Sequence, residues 1–179
     1  MATQEQIDDL AQKMAEQRTS LLAALEGIDD AVAEVRNPEA DGEEGWSVKE
    51  QLSHLATMET LYRNWVERAL KEDRPDLSQG GHPDPIAYPM DVAHDHAVRE
   101  HVAELTRQRE RTLRLMEQIE PAAYERTAVS PAFGELTVMQ WLRSYYRHDR
   151  MHQAQIEGKK SDYVPRFLSG REPDQRRRA

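Results

Sequence analysis

The sequence predicts an all-α protein, a four-helix bundle, on three observations. Apolar residues recur at three- and four-residue steps in four long segments, which is the spacing of a buried helix face. Two capping boxes mark helix starts, and no segment shows convincing strand alternation. The 179 residues suffice for one domain with its own core. We expect the bundle over residues 1–160 and a loosely packed or disordered tail over 161–179.

The first predicted helix runs from about Gln4 to Arg36. Its apolar residues form a single stripe that continues through Val32 and Val35. It ends at an Asn–Pro pair, because the residue before a proline is pushed out of the helical region. An acidic loop over 39–45 follows.

The second predicted helix opens with a capping box, in which Ser47 and Glu50 satisfy each other's orphan backbone donors. The helix ends near Lys71. A connection over 73–90 follows, and its four prolines and paired glycines exclude a regular helix.

The third predicted helix extends from about Asp91 to Glu120 and ends at a proline. The fourth begins with a second capping box, formed by Thr137 and Gln140, and continues to Gly158. These two segments complete the four helices of the bundle.

Composition excludes several classes of function. A net charge of −9 argues against a protein that binds duplex nucleic acid, which depends on neutralising phosphates. The absence of cysteine excludes disulfides, thiolate metal sites and a cysteine nucleophile. No apolar run approaches the ~18 residues of a membrane span, and the polar, acidic start does not resemble a secretory signal. We therefore expect a cytoplasmic protein that acts on a small molecule, without a nucleic-acid or membrane partner.

Three histidines interrupt the apolar stripes. His148 and His152 stand four residues apart on one face of the fourth helix, and His54 lies at the edge of the apolar arc of the second. An imidazole buried without a partner costs roughly 1–3 kcal/mol. A divalent metal would satisfy all three, and three imidazoles leave an open position, which is typical of catalytic sites. The alternative is core histidines hydrogen-bonded to their neighbours.

The positions of these histidines constrain the topology. His54 lies near the start of the second helix and His152 near the end of the fourth, so they reach the same level only if these helices are antiparallel. The long connection can cross the length of the bundle and make the third helix parallel to the second. We therefore predict an up-down-down-up bundle with a long crossover between helices two and three.

Other polar and aromatic residues are candidates for the same site. Glu59 lies in the apolar arc of helix two, and Asp149 follows the first histidine of the pair. Either carboxylate could transfer a proton or orient a ligand imidazole, while a salt bridge is the alternative role for Asp149. Candidate pocket residues are His94, His101, Tyr62, Trp65, Tyr145 and Tyr88. Their alternative roles are half-exposed helix-terminal histidines and ordinary core aromatics.

Two segments of the chain resemble the signature motifs of the DinB-like superfamily. The first is WSVKEQLSHL, from Trp46 to Leu55, followed by Glu59. The second begins with the Leu136–Trp141 segment and continues with HDRMHQAQI from His148 to Ile156. The resemblance covers about residues 4–158. It implies an up-down-down-up bundle, often a homodimer, with Ni²⁺ or Zn²⁺, or else Mn²⁺ or Fe²⁺, on His54, His148 and His152.

The resemblance also implies a class of activity. The superfamily includes YfiT-like proteins and thiol S-transferases that use bacillithiol, mycothiol or glutathione. We expect a metal-dependent thiol S-transferase, in which an external thiol is the nucleophile because the chain has no cysteine. The alternatives are a hydrolase that uses a metal-activated water, and a non-catalytic metal-binding or stress-response protein.

Overall fold

The computed structural model describes residues 1–40, 42–79, 84–163, 166 and 168. Four long helices form the bundle, and a short helix and a two-stranded hairpin are added to it. The elements are α1 (Gln4–Ala23), α2 (Asp30–Ala33), α3 (Val48–Lys71), α4 (Val98–Met116), β1 (Thr127–Ser130), β2 (Gly134–Thr137) and α5 (Val138–Ile156). Short 3₁₀ helices lie at Gly42–Gly45, Met90–Asp95 and Pro121–Glu125. No helix in the described part of the chain combines the length and apolarity needed to cross a membrane.

Contacts along α3 show the direction of its neighbour α4. Lys49, at the start of α3, bonds to the carbonyl of His94 just before α4, and Arg63 bonds to Thr112 near the end of α4. The two helices are therefore parallel. Because antiparallel neighbours need only a short turn, a parallel pair requires the long crossover that the sequence predicts.

Contacts of the other two helices complete the topology. Arg18 of α1 bonds to Asp149, and Ser20 bonds to Gln153, so α1 and α5 are parallel. Arg18 also donates to the carbonyl of Leu105, whereas Met14, which lies earlier in α1, accepts from Arg109, which lies later in α4. The helices α1 and α4 are therefore antiparallel. The bundle is up-down-down-up, as predicted.

A layer of buried charge divides the apolar core. It consists of one residue from each long helix, Arg18, Glu59, Arg109 and Asp149, and we call it the charge layer. One apolar cluster lies toward the hairpin and includes Met14, Tyr62, Val66, Met116, Trp141, Leu142 and Tyr145. The other lies at the opposite end and includes Leu21, Leu25, Leu52, Leu55, Ala56, Val98 and Leu105.

The second and fourth predicted helices are confirmed, including their starts. The side chain of Ser47 accepts from the backbone of Glu50, whose carboxylate accepts from the backbone of Ser47. Thr137 and Gln140 form the same reciprocal pair at the start of α5. These caps place the histidine-bearing segments at fixed positions along their helices.

The first predicted helix is wrong after Ala23. The chain turns at Gly27, whose φ of +83° is a left-handed conformation that ends helices, and the Asp29 side chain then caps α2. Val32 and Val35, assigned to the apolar stripe, are 57% and 69% exposed. The apolar spacing continues past the end of α1, so this spacing alone does not reveal the turn at Gly27.

The third predicted helix is shorter than expected. The segment Met90–Asp95 is a 3₁₀ helix, and His96 is extended, so α4 begins only at Val98. The carboxylate of Glu100 accepts from the backbone N–H of Ala97 and stabilises this later start. At the other end α4 stops at Met116 rather than Glu120.

The absence of strands was also a wrong prediction. β1 and β2 form an antiparallel hairpin in which Val129 pairs with Glu135, and Gly134 adopts a φ of +79° at the turn. Leu77 donates to the carbonyl of Val129, so the start of the connection after α3 pairs with the other edge of β1. Most of the predicted tail at 161–179 lies outside the described residues. In the part described, Asp162 pairs with Arg150 of α5.

Candidate metal centre

Three histidines from two helices converge at one point in the core. The Nε2 atoms of His54 and His148 lie 3.2 Å apart, and those of His148 and His152 lie 3.1 Å apart. The residues are 3%, 7% and 0% exposed, respectively. The antiparallel packing of α3 on α5 places His54 at the level of the His148–His152 face. The structure therefore brings together the three residues that the sequence selected as metal ligands.

A fourth donor, Glu43, enters the same cluster from the loop before α3. Its Oε1 lies 3.2 Å from the Nε2 of His54, and its Oε2 lies 3.4 Å from the Nε2 of His152. Among the described residues, the group that could hold a metal ion consists of Glu43 and these three histidines, with ligand atoms within 4.8 Å of one another. Glu43 lies in the segment 39–45, which was predicted to be an acidic loop, and it was not predicted as a ligand, since no periodicity distinguishes it from its acidic neighbours.

Burial keeps the three imidazoles neutral. It lowers the pKa of His148 to about 4, since burial and the smaller effect of the Arg18 charge outweigh the opposing effect of the Asp149 carboxylate. Burial and the neighbouring histidines also hold the pKa values of His54 and His152 well below the ordinary value. Neutral imidazoles offer a lone pair at physiological pH, which is the form that binds metals.

The spacing of the donors fits a single ion. Donors bound to a zinc-sized ion at ~2.0–2.1 Å stand roughly 3.0–3.4 Å apart around it. Two contacts between imidazole Nε2 atoms, at 3.2 and 3.1 Å, and two between Nε2 atoms and the Glu43 oxygens, at 3.2 and 3.4 Å, match this spacing. Because a neutral imidazole carries only one N–H, hydrogen bonds among three facing Nε2 atoms cannot satisfy them all. Nitrogen and carboxylate donors of this kind suit a divalent metal.

Glu59 and Asp149 belong to the charge layer next to this cluster. Arg18 bonds to Glu59 at 2.6 Å and to Asp149 at 2.9 Å, and Arg109 bonds to the same two carboxylates at 2.8 and 2.9 Å. Thr112 donates a further bond to Glu59 at 2.9 Å. Each carboxylate therefore holds two guanidinium groups, an arrangement that favours a structural role over proton transfer.

The electrostatics of the charge layer lead to the same conclusion. Burial alone would raise the pKa of Glu59, but Arg109 and Arg18 outweigh it, so the pKa lies below its ordinary value. The pKa of Asp149 is likewise lowered, because Arg18 and Arg109 outweigh the effect of burial. A carboxylate with a lowered pKa is a weak proton acceptor near neutral pH. Arg18 and Arg109 were not predicted as members of the site, although both occupy positions in the apolar stripes of their helices.

The aromatic candidates on α3 and α5 pack beside His148. The ring of Tyr62 lies 6.1 Å from that of His148 and 5.5 Å from that of Tyr145. Trp65 packs edge-on against Trp141 at 4.8 Å, farther along the bundle. A small cavity next to the cluster is lined by Leu55, Glu59, Tyr62, Arg109, Tyr145, His148 and Asp149. Tyr62 and Tyr145 thus line the space beside the candidate centre.

The remaining candidates form separate contacts near the start of α4. The ring of Tyr88 lies 4.2 Å from that of His96 and 5.5 Å from that of His101. His101 is buried and bonds to the carbonyl of Ala93 at 2.9 Å. His94 is exposed and bonds to the hydroxyl of Ser47 at 2.8 Å. The structure does not place His94, His101 or Tyr88 among the four grouped donors.

Comparisons with known proteins agree with this architecture. The model of the DinB superfamily matches residues 13–156. One similar solved structure is YfiT from Bacillus subtilis, "a probable metal-dependent hydrolase with an unusual four-helix bundle topology". It is 22% identical, with a TM-score of 0.66 over 88% of this chain and 87% of that one. Another is an uncharacterised protein from Clostridium difficile 630, 10% identical, with a TM-score of 0.65 over 87% and 96% of the two chains. No curated protein matches.

Proposed function

The chain belongs to the DinB superfamily, and from that premise we propose that it is a metal-dependent hydrolase of a small-molecule substrate. The observation that carries the proposal is the convergence of three neutral imidazoles and one carboxylate on a single buried point. The description of YfiT as a probable metal-dependent hydrolase supports the same class of reaction.

The ligands we assign are the Nε2 atoms of His54, His148 and His152, with the Glu43 carboxylate beside them. Imidazole donors suit zinc, nickel and iron, and a carboxylate also suits manganese. When bound, a divalent ion supplies Lewis-acid activation of the nucleophile and of the substrate.

Water is the first candidate for the nucleophile, because the similar structure with a described activity, YfiT, is a probable metal-dependent hydrolase. Thiol S-transfer is the second candidate, because the chain has no cysteine and any thiol nucleophile has to be external.

We assign the proton-accepting role to Glu43. Hydrolysis needs a group that takes the proton of the attacking water. Glu59 and Asp149 are poor acceptors because two arginines stabilise the charge on each. Glu43 completes the grouped donors, and its carboxylate oxygens face two of the three imidazoles. If Glu43 instead remains a permanent fourth ligand, the centre is closed and non-catalytic.

Metal content tests the centre itself. We expect about one divalent ion per chain in protein purified without a His-tag or chelating resin, measured by elemental analysis. His54→Ala and His148→Ala should lose the ion with helical content retained by circular dichroism. His96→Ala is the matched control, because His96 lies outside the donor group, and it should keep the ion. A wild-type protein that holds no metal and takes up neither Zn²⁺ nor Ni²⁺ would refute the proposal.

Activity distinguishes the alternatives once metal is bound. We expect turnover of nitrophenyl esters or amides without added thiol, and its loss in Glu43→Gln with the metal retained. Turnover that requires glutathione or another thiol would replace hydrolysis with S-transfer. A Co²⁺-loaded protein with the spectrum of four protein ligands and no turnover would identify a closed, non-catalytic centre.

A further inference from the structure

Gln51 connects two parts of the candidate centre without belonging to it. It lies on α3 one turn before His54 and is buried. Its Oε1 lies 3.3 Å from the Nδ1 of His152, the ring nitrogen that faces away from the other ligands. Its Nε2 donates to the backbone carbonyl of Trp46 at 3.2 Å. A single side-chain amide thus contacts a ligand of α5 and the loop that carries Glu43.

These contacts determine the orientation of the amide. The carbonyl of Trp46 can only accept a hydrogen bond, so the NH₂ group of Gln51 has to face it. The Gln51 oxygen then faces His152 and can only accept, which requires the proton of the imidazole to be on Nδ1. With Nδ1 protonated, the Nε2 of His152 has a free lone pair, which is directed at the point where the other candidate metal-ligand atoms converge. A backbone carbonyl therefore sets the tautomer of a ligand through Gln51.

The second contact of Gln51 acts on the loop before α3. The backbone N–H of Trp46 donates to the carbonyl of Glu43 at 3.1 Å, which closes the 3₁₀ turn of 42–45. The Trp46 ring packs edge-on against His54, with centroids 4.9 Å apart. Holding the carbonyl of Trp46 therefore also fixes the turn from which the Glu43 carboxylate reaches the histidines.

We propose that Gln51 is a positioning residue that fixes the Nδ1–H tautomer of His152 and holds the Glu43 turn against the metal centre. The proposal rests on the metal centre of the proposed function. Gln51 is not itself a ligand, because its oxygen faces the Nδ1 of His152 while the donors of the centre converge on the Nε2 side. Hydrogen-bond partners of this kind change metal affinity without touching the ion.

Two substitutions separate the two roles of Gln51. Gln51→Leu removes both contacts, and we expect metal affinity to fall about 10- to 100-fold. Gln51→Glu keeps an oxygen that accepts from the Nδ1 of His152 but loses the donor to Trp46. Its affinity should therefore fall less than that of Gln51→Leu. The control is Gln17→Leu, at a half-buried glutamine whose side chain donates to Gln153, and this variant should bind metal as the wild type does.

Two measurements test the proposal. Competition with a chromophoric chelator gives the Zn²⁺ affinity of each variant, and ¹⁵N NMR of the metal-free protein reports the His152 tautomer. We expect Nδ1–H in the wild type and in Gln51→Glu, and a mixture of tautomers in Gln51→Leu. A wild-type proton on Nε2, or Gln51→Leu with unchanged affinity, would overturn the proposal. Absence of Zn²⁺ binding by the wild type would instead refute the proposed function, while the NMR result still tests Gln51.

Discussion

Individual charged residues in this core depend on one another for their stability. Arg18 and Arg109 each contact both Glu59 and Asp149, and the four side chains are almost completely buried. Two positive and two negative groups make the layer electrically neutral. Burying such charges is expensive, and removing one partner leaves another uncompensated. Removing any one of the four charged groups should therefore lower the free energy of unfolding strongly.

Replacing Glu59 should destabilise the protein strongly. Glu59→Gln preserves the shape of the side chain but leaves two buried guanidinium groups facing a single carboxylate. We expect a loss of about 3–5 kcal/mol in the free energy of unfolding, measured by urea denaturation of the metal-free protein.

The matched control is Glu135→Gln, since Glu135 forms a bidentate pair with Arg74 on the surface. That substitution should leave the free energy of unfolding nearly unchanged, because exposed pairs contribute little. If the two substitutions lower the free energy of unfolding equally, the buried charge layer stabilises the protein no more than an exposed pair does.

Some residues of the site could be predicted from the sequence, and others could not. The histidines could be predicted because each is a polar residue at a buried position of a regular helix. Arg18 and Arg109 follow the same logic, since they lie four residues after the buried Met14 and Leu105. They were missed because long arginine side chains usually extend from an apolar face to the surface. Glu43 could not be predicted, because its position depends on a turn outside any periodic segment.

At the scale of elements, the two helix starts that carry a predicted capping box were predictable, whereas the start of α4 and the end of α1 were not. A capping box is a local pattern of side chains, and both predicted boxes are present at α3 and α5. The turn after α1 depends instead on Gly27, whose left-handed backbone the apolar spacing does not encode. The hairpin strands are four residues each, too short for an alternating pattern to be distinctive.

The loop that carries Glu43 is packed tightly at Gly45. A Cβ at this position would lie 2.6 Å from the carbonyl oxygen of Ala40 and 3.2 Å from that of Asn37. Gly45→Ala should therefore displace the turn and lower metal affinity by about tenfold, comparable to the loss of a supporting contact. The measurement is chelator competition with Zn²⁺.

Gly27→Ala is the control for this substitution. Gly27 has a φ of +83° and open space around it, so an added methyl group strains the backbone without a clash. We expect a loss of about 1–2 kcal/mol in stability with unchanged metal affinity. If both glycine variants bind Zn²⁺ as the wild type does, the Glu43 turn is not held by close packing.

At the scale of the whole molecule, the topology was predictable from the site. His54 and His152 had to reach one level, which required antiparallel helices and hence the crossover. The positions of these residues were therefore evidence about the path of the chain. The charge layer also joins all four long helices at one level.

The metal-free protein should lose stability in mild acid. In the unfolded chain the histidines bind protons at their ordinary pKa of 6.5, whereas burial lowers the pKa of His148 to about 4 in the folded state. The unfolded state therefore binds more protons below pH 6.5, and the free energy of unfolding falls as the pH decreases from 6.5 to about 4. His148 alone accounts for up to about 3 kcal/mol.

Urea denaturation at pH 7.5, 6.5, 5.5 and 4.5 measures this dependence. His148→Gln should have a shallower decrease over the same range, since one of the three depressed imidazoles is removed. A free energy of unfolding that stays constant between pH 6.5 and 4.5 would contradict the burial of neutral histidines.

The packing of α1 against α5 has a consequence for synthesis on the ribosome. Arg18 and Asp149 are 131 residues apart, which takes roughly 7–26 s at ~5–20 residues per second. During that interval the newly made first helix exposes the apolar face that α5 later covers. Exposed surfaces of this kind in unfinished chains are the ones that aggregate and that chaperones bind. We therefore expect the nascent chain to be held by a chaperone until its last helix emerges.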